Sequence, residues 1–211
     1  MASSASDNSA SRAAPVVLLA DLPGLATQLA ERIRAAKFAP ELIVYIETGA
    51  RLFAHELAPL LNAPLAPLWV KRSGHGLKRI LAPVAVRLPV AARDWLRRIE
   101  ERSGVHRVSR RAACLPESAS VAGKHVLVLD DAADTGRTIT LARQLVIERG
   151  AAPEHVRTAV LAATTPGAQS AVDFFVLNRN CRMPWSADSD ERLQAAQRAA
   201  SLAPAHAPRD F

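Results

Sequence analysis

The sequence predicts an α/β protein, a twisted and mainly parallel five-stranded sheet with helices on both faces. Three observations predict it. Continuous apolar runs of strand length, Leu42-Ile43-Val44-Tyr45-Ile46 and Val126-Leu127-Val128-Leu129, have the pattern of strands buried on both sides. Between such runs stand segments whose apolar residues recur every three or four positions, the spacing of one helix face. Strand and helix then alternate along the chain, which implies parallel crossovers with helices above and below the sheet.

Each element follows in order. Residues 1–14 (MASSASDNSASRAA) are small and polar and are expected to be disordered. Val16 to Ala20 supplies five apolar residues, too few for a secretory core. Asp21 suits a helix N-cap with Pro23 in the first turn, and Leu25, Leu29 and Ile33 place an amphipathic helix over 22–37. The first strand, 42–46, leads through Glu47-Thr48-Gly49 into a helix carrying Phe53, Leu57, Leu60 and Leu61 on one face. Residues 64–70 form the second strand. The basic stretch 72–118 does not read as core; Trp95, Leu96 and Ile99 mark one short helix within it. Strand 126–129 precedes a helix carrying Ile139, Ala142, Leu145 and Val146, which Gly150 closes. Strands at 156–162 and 174–177, a polar helix near 190–202 and a loose Ala/Pro tail complete the chain.

Composition removes several function classes. At 211 residues the length is that of one domain with an elaboration, and Ala alone supplies 42 of them. No run approaches the roughly 18 uncharged apolar residues of a membrane span, which excludes an integral membrane protein, and the two cysteines read as free thiols of a reducing cytoplasm. Cys114 and Cys181 are too few for a disulfide scaffold or a four-cysteine zinc site, and the histidines lack metal-ligand spacing. There is no GxxxxGK[ST], and Ser73-Gly74-His75-Gly76 lacks the third glycine of a dinucleotide turn. The net charge of +7 is unevenly placed. From Lys71 to Arg111 twelve Lys and Arg face only Asp94, Glu100 and Glu101, so that stretch carries +9 and the remainder −2. Such concentration points to a local anionic partner.

In parallel sheets, ligands bind beyond the carboxyl ends of the strands. That rule alone selects two loops, 47–51 and 130–138. The second reads Asp130-Asp131-Ala132-Ala133-Asp134-Thr135-Gly136-Arg137-Thr138. Three carboxylates within five residues are costly without hydroxyl donors or a counter-charge. Thr135 to Thr138 then offer hydroxyls, a guanidinium and a glycine at a helix N-terminus, where free N–H groups and the dipole attract phosphate. Acids beside an anion site are reconciled by a ligand carrying both hydroxyls and phosphate. A sugar phosphate is such a ligand, and Mg²⁺ would relieve the remaining repulsion.

Val126 to Thr138 (VLVLDDAADTGRT) resembles the signature of the type I phosphoribosyltransferases, which bind phosphoribosyl pyrophosphate. The resemblance implies that Asp130 and Asp131 hold the ribose diol and, directly or through water, Mg²⁺. It assigns the 5-phosphate to Ala133, Thr135, Gly136, Arg137 and Thr138. Asp134 occupies the general base or acid position of the 6-oxopurine members, which favours a purine-like acceptor. Weaker matches extend over most of residues 40–186. PELIVYIETGARLFAHEL resembles the pyrophosphate loop, so Thr48, Gly49, Ala50 and Arg51, with Lys71 and Arg72 at the next strand end, would meet pyrophosphate. Asp173-Phe174-Phe175-Val176 with Pro184-Trp185 resembles the hood of bacterial xanthine-guanine enzymes, which puts Val176 and Trp185 on the acceptor side. The family's architecture then divides the chain into a disordered segment 1–14, a phosphoribosyltransferase domain 15–188, and a C-terminal helix and tail 189–211. Within the domain, 72–118 is a basic lid or insertion and 172–188 the hood. Members are usually dimers or tetramers.

Three departures stand beside this. Glu47 would repel pyrophosphate unless it points away, the lysine that reads a purine 6-oxo group falls near Thr164, and the base-stacking aromatic falls near Asn180. Two alternatives therefore stay open. One is a regulator of this fold binding nucleotide and RNA or DNA through the basic stretch, although Trp95 is a thin stacking platform. The other is a specialised enzyme with a non-nucleobase acceptor.

Overall fold

The computed structural model describes residues 14–47, 49–70 and 113–204. Residues 1–13, Thr48, Lys71, Arg72 and the rest of 73–112, including the helix expected around Trp95, lie outside the described residues, as does 205–211.

Among the described residues six strands form one sheet: β1 (Leu42–Glu47), β2 (Leu65–Val70), β3 (Ala113–Cys114), β4 (Val126–Ala133), β5 (Val156–Ala163) and β6 (Phe174–Leu177). Their order is β3-β2-β1-β4-β5-β6, parallel throughout except where β3 pairs antiparallel with the outer edge of β2. This two-residue edge strand raises the expected count of five to six. It was not visible in sequence because two residues carry no periodicity. The five parallel strands, counted in chain order, run 2-1-3-4-5 across the sheet. The direction of winding reverses between β1 and β4, and the carboxyl ends of two such strands open a crevice at this switch point. Both loops selected from the sequence leave the sheet there.

The helices are α1 (Leu22–Ala35), α2 (Arg51–Leu61), α3 (Arg137–Glu148), α4 (Pro166–Ala171) and α5 (Arg192–Ser201). One core packs α1, α2 and α5 against Ile43, Tyr45, Leu127 and Leu129, with Phe53 and Leu57 fully buried. The other packs α3 and α4 against Val44, Ile46, Val126 and Val128 through Ile139, Ala142, Val146 and Ala168. Truncating a buried Phe such as Phe53 to Ala typically costs about 3–5 kcal/mol. Alternate facing along β4 breaks at the acids, because Ala132 packs on the same side as Leu129. Asp130 and Asp131 sit at that break.

Two local expectations change. Asp21 does not cap α1 with its side chain; its carboxylate accepts the Leu18 N–H at 2.8 Å instead. α4 was not anticipated, although Thr165-Pro166 is a capping residue followed by proline at the first helical position. The Thr165 hydroxyl accepts the Ala168 N–H at 3.1 Å.

Candidate active site

β4 runs four residues beyond the predicted strand and remains paired to β5 through Ala132 and Ala133. Asp130 and Asp131 therefore stand on the rigid strand end, while Asp134, Thr135 and Gly136 make the turn. Asp130 is buried, at 3% exposure, and its Oδ1 accepts the Asp131 N–H at 2.9 Å. Asp131 Oδ1 accepts the Ala132 N–H at 2.7 Å. Both carboxylates are thus oriented by backbone donors of their own strand.

Gly136 has φ of +71° and caps α3 with no side-chain hydrogen bond to the helix. A Cβ at Gly136 would stand 2.5 Å from Ala171 Cβ at the end of α4, so glycine is required here twice over. The Thr135 hydroxyl lies 3.5 Å from the Arg137 N–H, a marginal bond. The Arg137 side chain is exposed and Thr138 half-buried. A helix N-terminus left without a side-chain cap, beside an exposed guanidinium and two hydroxyls, is fitted to a phosphate.

Asp134 is exposed and held from β5. Its Oδ1 accepts from the Thr164 hydroxyl, and its carbonyl accepts the Thr165 hydroxyl at 2.6 Å. The Thr164 N–H meanwhile bonds the Ala133 carbonyl at 2.9 Å. Thr164, where a lysine was expected, thus bonds the carboxylate of the neighbouring turn. The residue at the expected aromatic position, Asn180, is exposed.

At the end of β1 the structure revises the anion loop. The Glu47 side chain is only 1% exposed. Arg51 donates to it from Nε at 2.9 Å and Nη2 at 2.8 Å, and from Nη1 to the Ala199 carbonyl of α5 at 2.7 Å. Three of the five donors of Arg51 are thereby engaged, in place of the free guanidinium expected to meet pyrophosphate. Glu47 points away from the loop and is neutralised. Burial beside Glu47 pushes the Tyr45 hydroxyl well above its ordinary range, and burial with the nearby Arg51 charge pushes His55 down. Ala50 is buried at the start of α2. Gly49 abuts Asp131: a Cβ there would lie 2.7 Å from Asp131 Cγ and nearer still to Oδ2.

Trp185 Nε1 donates to Asp131 Oδ2 at 2.8 Å, so this hood residue reaches the first acidic pair, 54 positions away. Val176, also expected on the acceptor side, packs against the core shared with α1 and α2. The structure thus gathers Gly49, Asp130, Asp131 and Trp185 by direct contact, and Asp134 with Thr164. Sequence reasoning passed over Thr164 as a partner of Asp134 and Trp185 as a partner of Asp131. Among the described residues no group of three or more His, Cys, Asp or Glu is arranged to hold a metal ion, and no helix is long and apolar enough to cross a membrane.

Comparison with known proteins agrees with this fold. A model of the phosphoribosyl transferase domain matches residues 19–191. The crystal structure of a purine phosphoribosyltransferase from Pyrococcus horikoshii is similar over 81% of this chain and 93% of that one, with 22% identity and a TM-score of 0.54. A hypothetical protein from Neisseria gonorrhoeae, solved with bound ppGpp, is similar over 87% of this chain and 96% of its own, at 17% identity and a TM-score of 0.53. At such identities the likeness is one of fold. No curated protein matches the chain.

Proposed function

Because the chain belongs to the phosphoribosyl transferase family, we propose that it transfers the ribose 5-phosphate of phosphoribosyl pyrophosphate to a nitrogenous, purine-like acceptor and releases pyrophosphate. One observation carries this reading. A single segment presents two oriented carboxylates at a strand end and, five residues after Asp131, a helix N-terminus without a side-chain cap. These are acceptors for a diol and donors for a phosphate, spaced by one turn.

Asp130 and Asp131 accept the ribose hydroxyls, and the Gly136 turn with Thr135, Arg137 and Thr138 takes the 5-phosphate. The donor set fits Mg²⁺ of the kind held by one or two carboxylates together with substrate phosphates rather than by an all-protein cage. When bound, that ion supplies charge neutralisation for the departing pyrophosphate. Pyrophosphate itself falls to the backbone around Gly49 and Ala50 and to Thr48, Lys71 and Arg72. Arg51 acts behind this loop by pairing with Glu47. Asp134, with Oδ1 fixed by Thr164, turns Oδ2 to the acceptor and removes its N–H proton as the C1–N bond forms.

The test is pyrophosphate release from phosphoribosyl pyrophosphate and Mg²⁺ across purines, pyrimidines and simple amines. Release with at least one purine-like base is expected. Silence across the whole panel, together with no heat of donor binding, overturns the reading. Asp134→Asn is expected to lower turnover about 10²- to 10⁴-fold, the range of general-base contributions, with donor affinity within about twofold. Undiminished turnover removes Asp134 from the reaction.

A further inference from the structure

The contact between Trp185 and Asp131 assigns the hood a task that neither stacking nor acceptor recognition covers. Asp131 is enclosed on three sides. Oδ1 is held by the Ala132 N–H at 2.7 Å, Oδ2 by the Trp185 indole at 2.8 Å, and Gly49 comes so close that an added Cβ would stand 2.7 Å from Cγ. Trp185 itself is half-buried and packs against the core cluster that includes residues of α1 and α2 and the buried Met183. Its nitrogen is therefore a fixed donor and not one that a mobile surface side chain happens to offer.

The chemistry of the donor matters. An indole has one N–H and no acceptor, whereas each carboxylate oxygen has about two lone-pair sites. One neutral donor on Oδ2 fixes the carboxylate and leaves its charge intact, with a lone pair over for an incoming hydroxyl. An arginine or lysine in the same place would neutralise the carboxylate and compete for the site. We propose that Trp185 is a positioning residue for the sugar donor: it locks the Asp131 carboxylate for the ribose diol and so ties the hood to donor binding. The proposal rests on the reading that Asp131 holds the diol, and it takes Trp185 away from the acceptor side, where the sequence resemblance put it.

Trp185→Phe keeps most of the ring and removes only the N–H. Calorimetry with Mg²⁺ and phosphoribosyl pyrophosphate on the full chain is expected to show about tenfold weaker binding, as loss of one hydrogen bond to a charged group implies. The KM for the acceptor and kcat at saturating donor should stay within about twofold. A stacking or acceptor-side role gives the opposite split, a raised acceptor KM with donor affinity unchanged, and that result overturns the proposal. Donor affinity within twofold of wild type overturns it too, while leaving the function reading in place. If wild type itself binds no donor, that reading falls and the proposal falls with it.

A second measurement covers the case in which the variant does not fold. The chain has three tryptophans, so the Trp185 indole N–H resonance is assignable by elimination with Trp69→Phe and Trp95→Phe. Adding Mg²⁺ and phosphoribosyl pyrophosphate should shift it, and adding a purine base alone should not. A resonance that the donor leaves unmoved overturns the proposal.

Discussion

Gly49 shows how tightly the site is built at single residues. Its backbone angle is unexceptional, yet a methyl group there would run into the Asp131 carboxylate. Gly49→Ala must therefore displace either the loop after β1 or the carboxylate with its indole partner. Donor affinity is expected to fall at least tenfold, measured by calorimetry, with the unfolding midpoint changed by no more than a few degrees. Retained affinity would mean that Asp131 can turn aside without consequence. The acids and the Gly136 turn were legible in the sequence because their meaning is local, contained in nine consecutive residues after an apolar strand. The partners of those acids were not legible. Trp185 lies 54 residues from Asp131 and Thr164 lies 30 from Asp134. No periodicity or spacing rule connects positions that meet only through sheet order.

Elements separate in the same way. α1, β1, β5 and β6 could be placed to within one or two residues, because continuous apolar runs and three-to-four spacing survive burial unchanged. β3 and α4 are too short to leave a period, and β4 outran its prediction because polar Asp130 and Asp131 hid two further paired residues. α5 was anticipated as a helix, but its attachment was not. It is fastened to α2 by Arg51 on the Ala199 carbonyl and by the Arg198 ion pair with Glu56. The two fastenings differ in what their loss exposes. Arg51→Ala strands the buried Glu47 carboxylate, and breaking such a pair typically costs about 3–5 kcal/mol. Ending the chain at Glu191 keeps that pair and loses the Ala199 carbonyl and the burial of Ala195, which should cost less. Thermal unfolding is expected to fall by roughly 6–20 °C for Arg51→Ala, at about 2–4 °C per kcal/mol for a chain of this size. The shortened chain should fall by a smaller amount; equal or inverted losses would refute this ordering of the contacts.

Across the whole molecule, most of the positive charge lies apart from the residues given to the diol, the 5-phosphate and the acceptor. The site at the carboxyl end of the sheet is rich in acid, with Asp130, Asp131 and Asp134 near Arg137, and the chain outside 71–111 carries −2. A phosphorylated sugar bearing pyrophosphate gains little long-range attraction from such a surface. The +9 of residues 71–111 is expected to supply it; attraction of this kind raises encounter rates and is screened by salt over a Debye length of about 10 Å at 0.1 M. Exchanging Arg97, Arg98 and Arg102 for Gln lowers that segment to +6 without touching a residue assigned to the site. Stopped-flow association of Mg²⁺ and phosphoribosyl pyrophosphate should slow about two- to fivefold at low ionic strength. Its dependence on salt should flatten, and turnover at saturating donor should be unchanged. A nucleic-acid role for the same segment behaves otherwise. Affinity for RNA or DNA would then fall by roughly 0.7–0.9 log units per log unit of salt for each phosphate contacted, and the three substitutions would weaken that binding while leaving the donor's association rate alone. Steering is excluded if the association rate at low salt is the same in both chains.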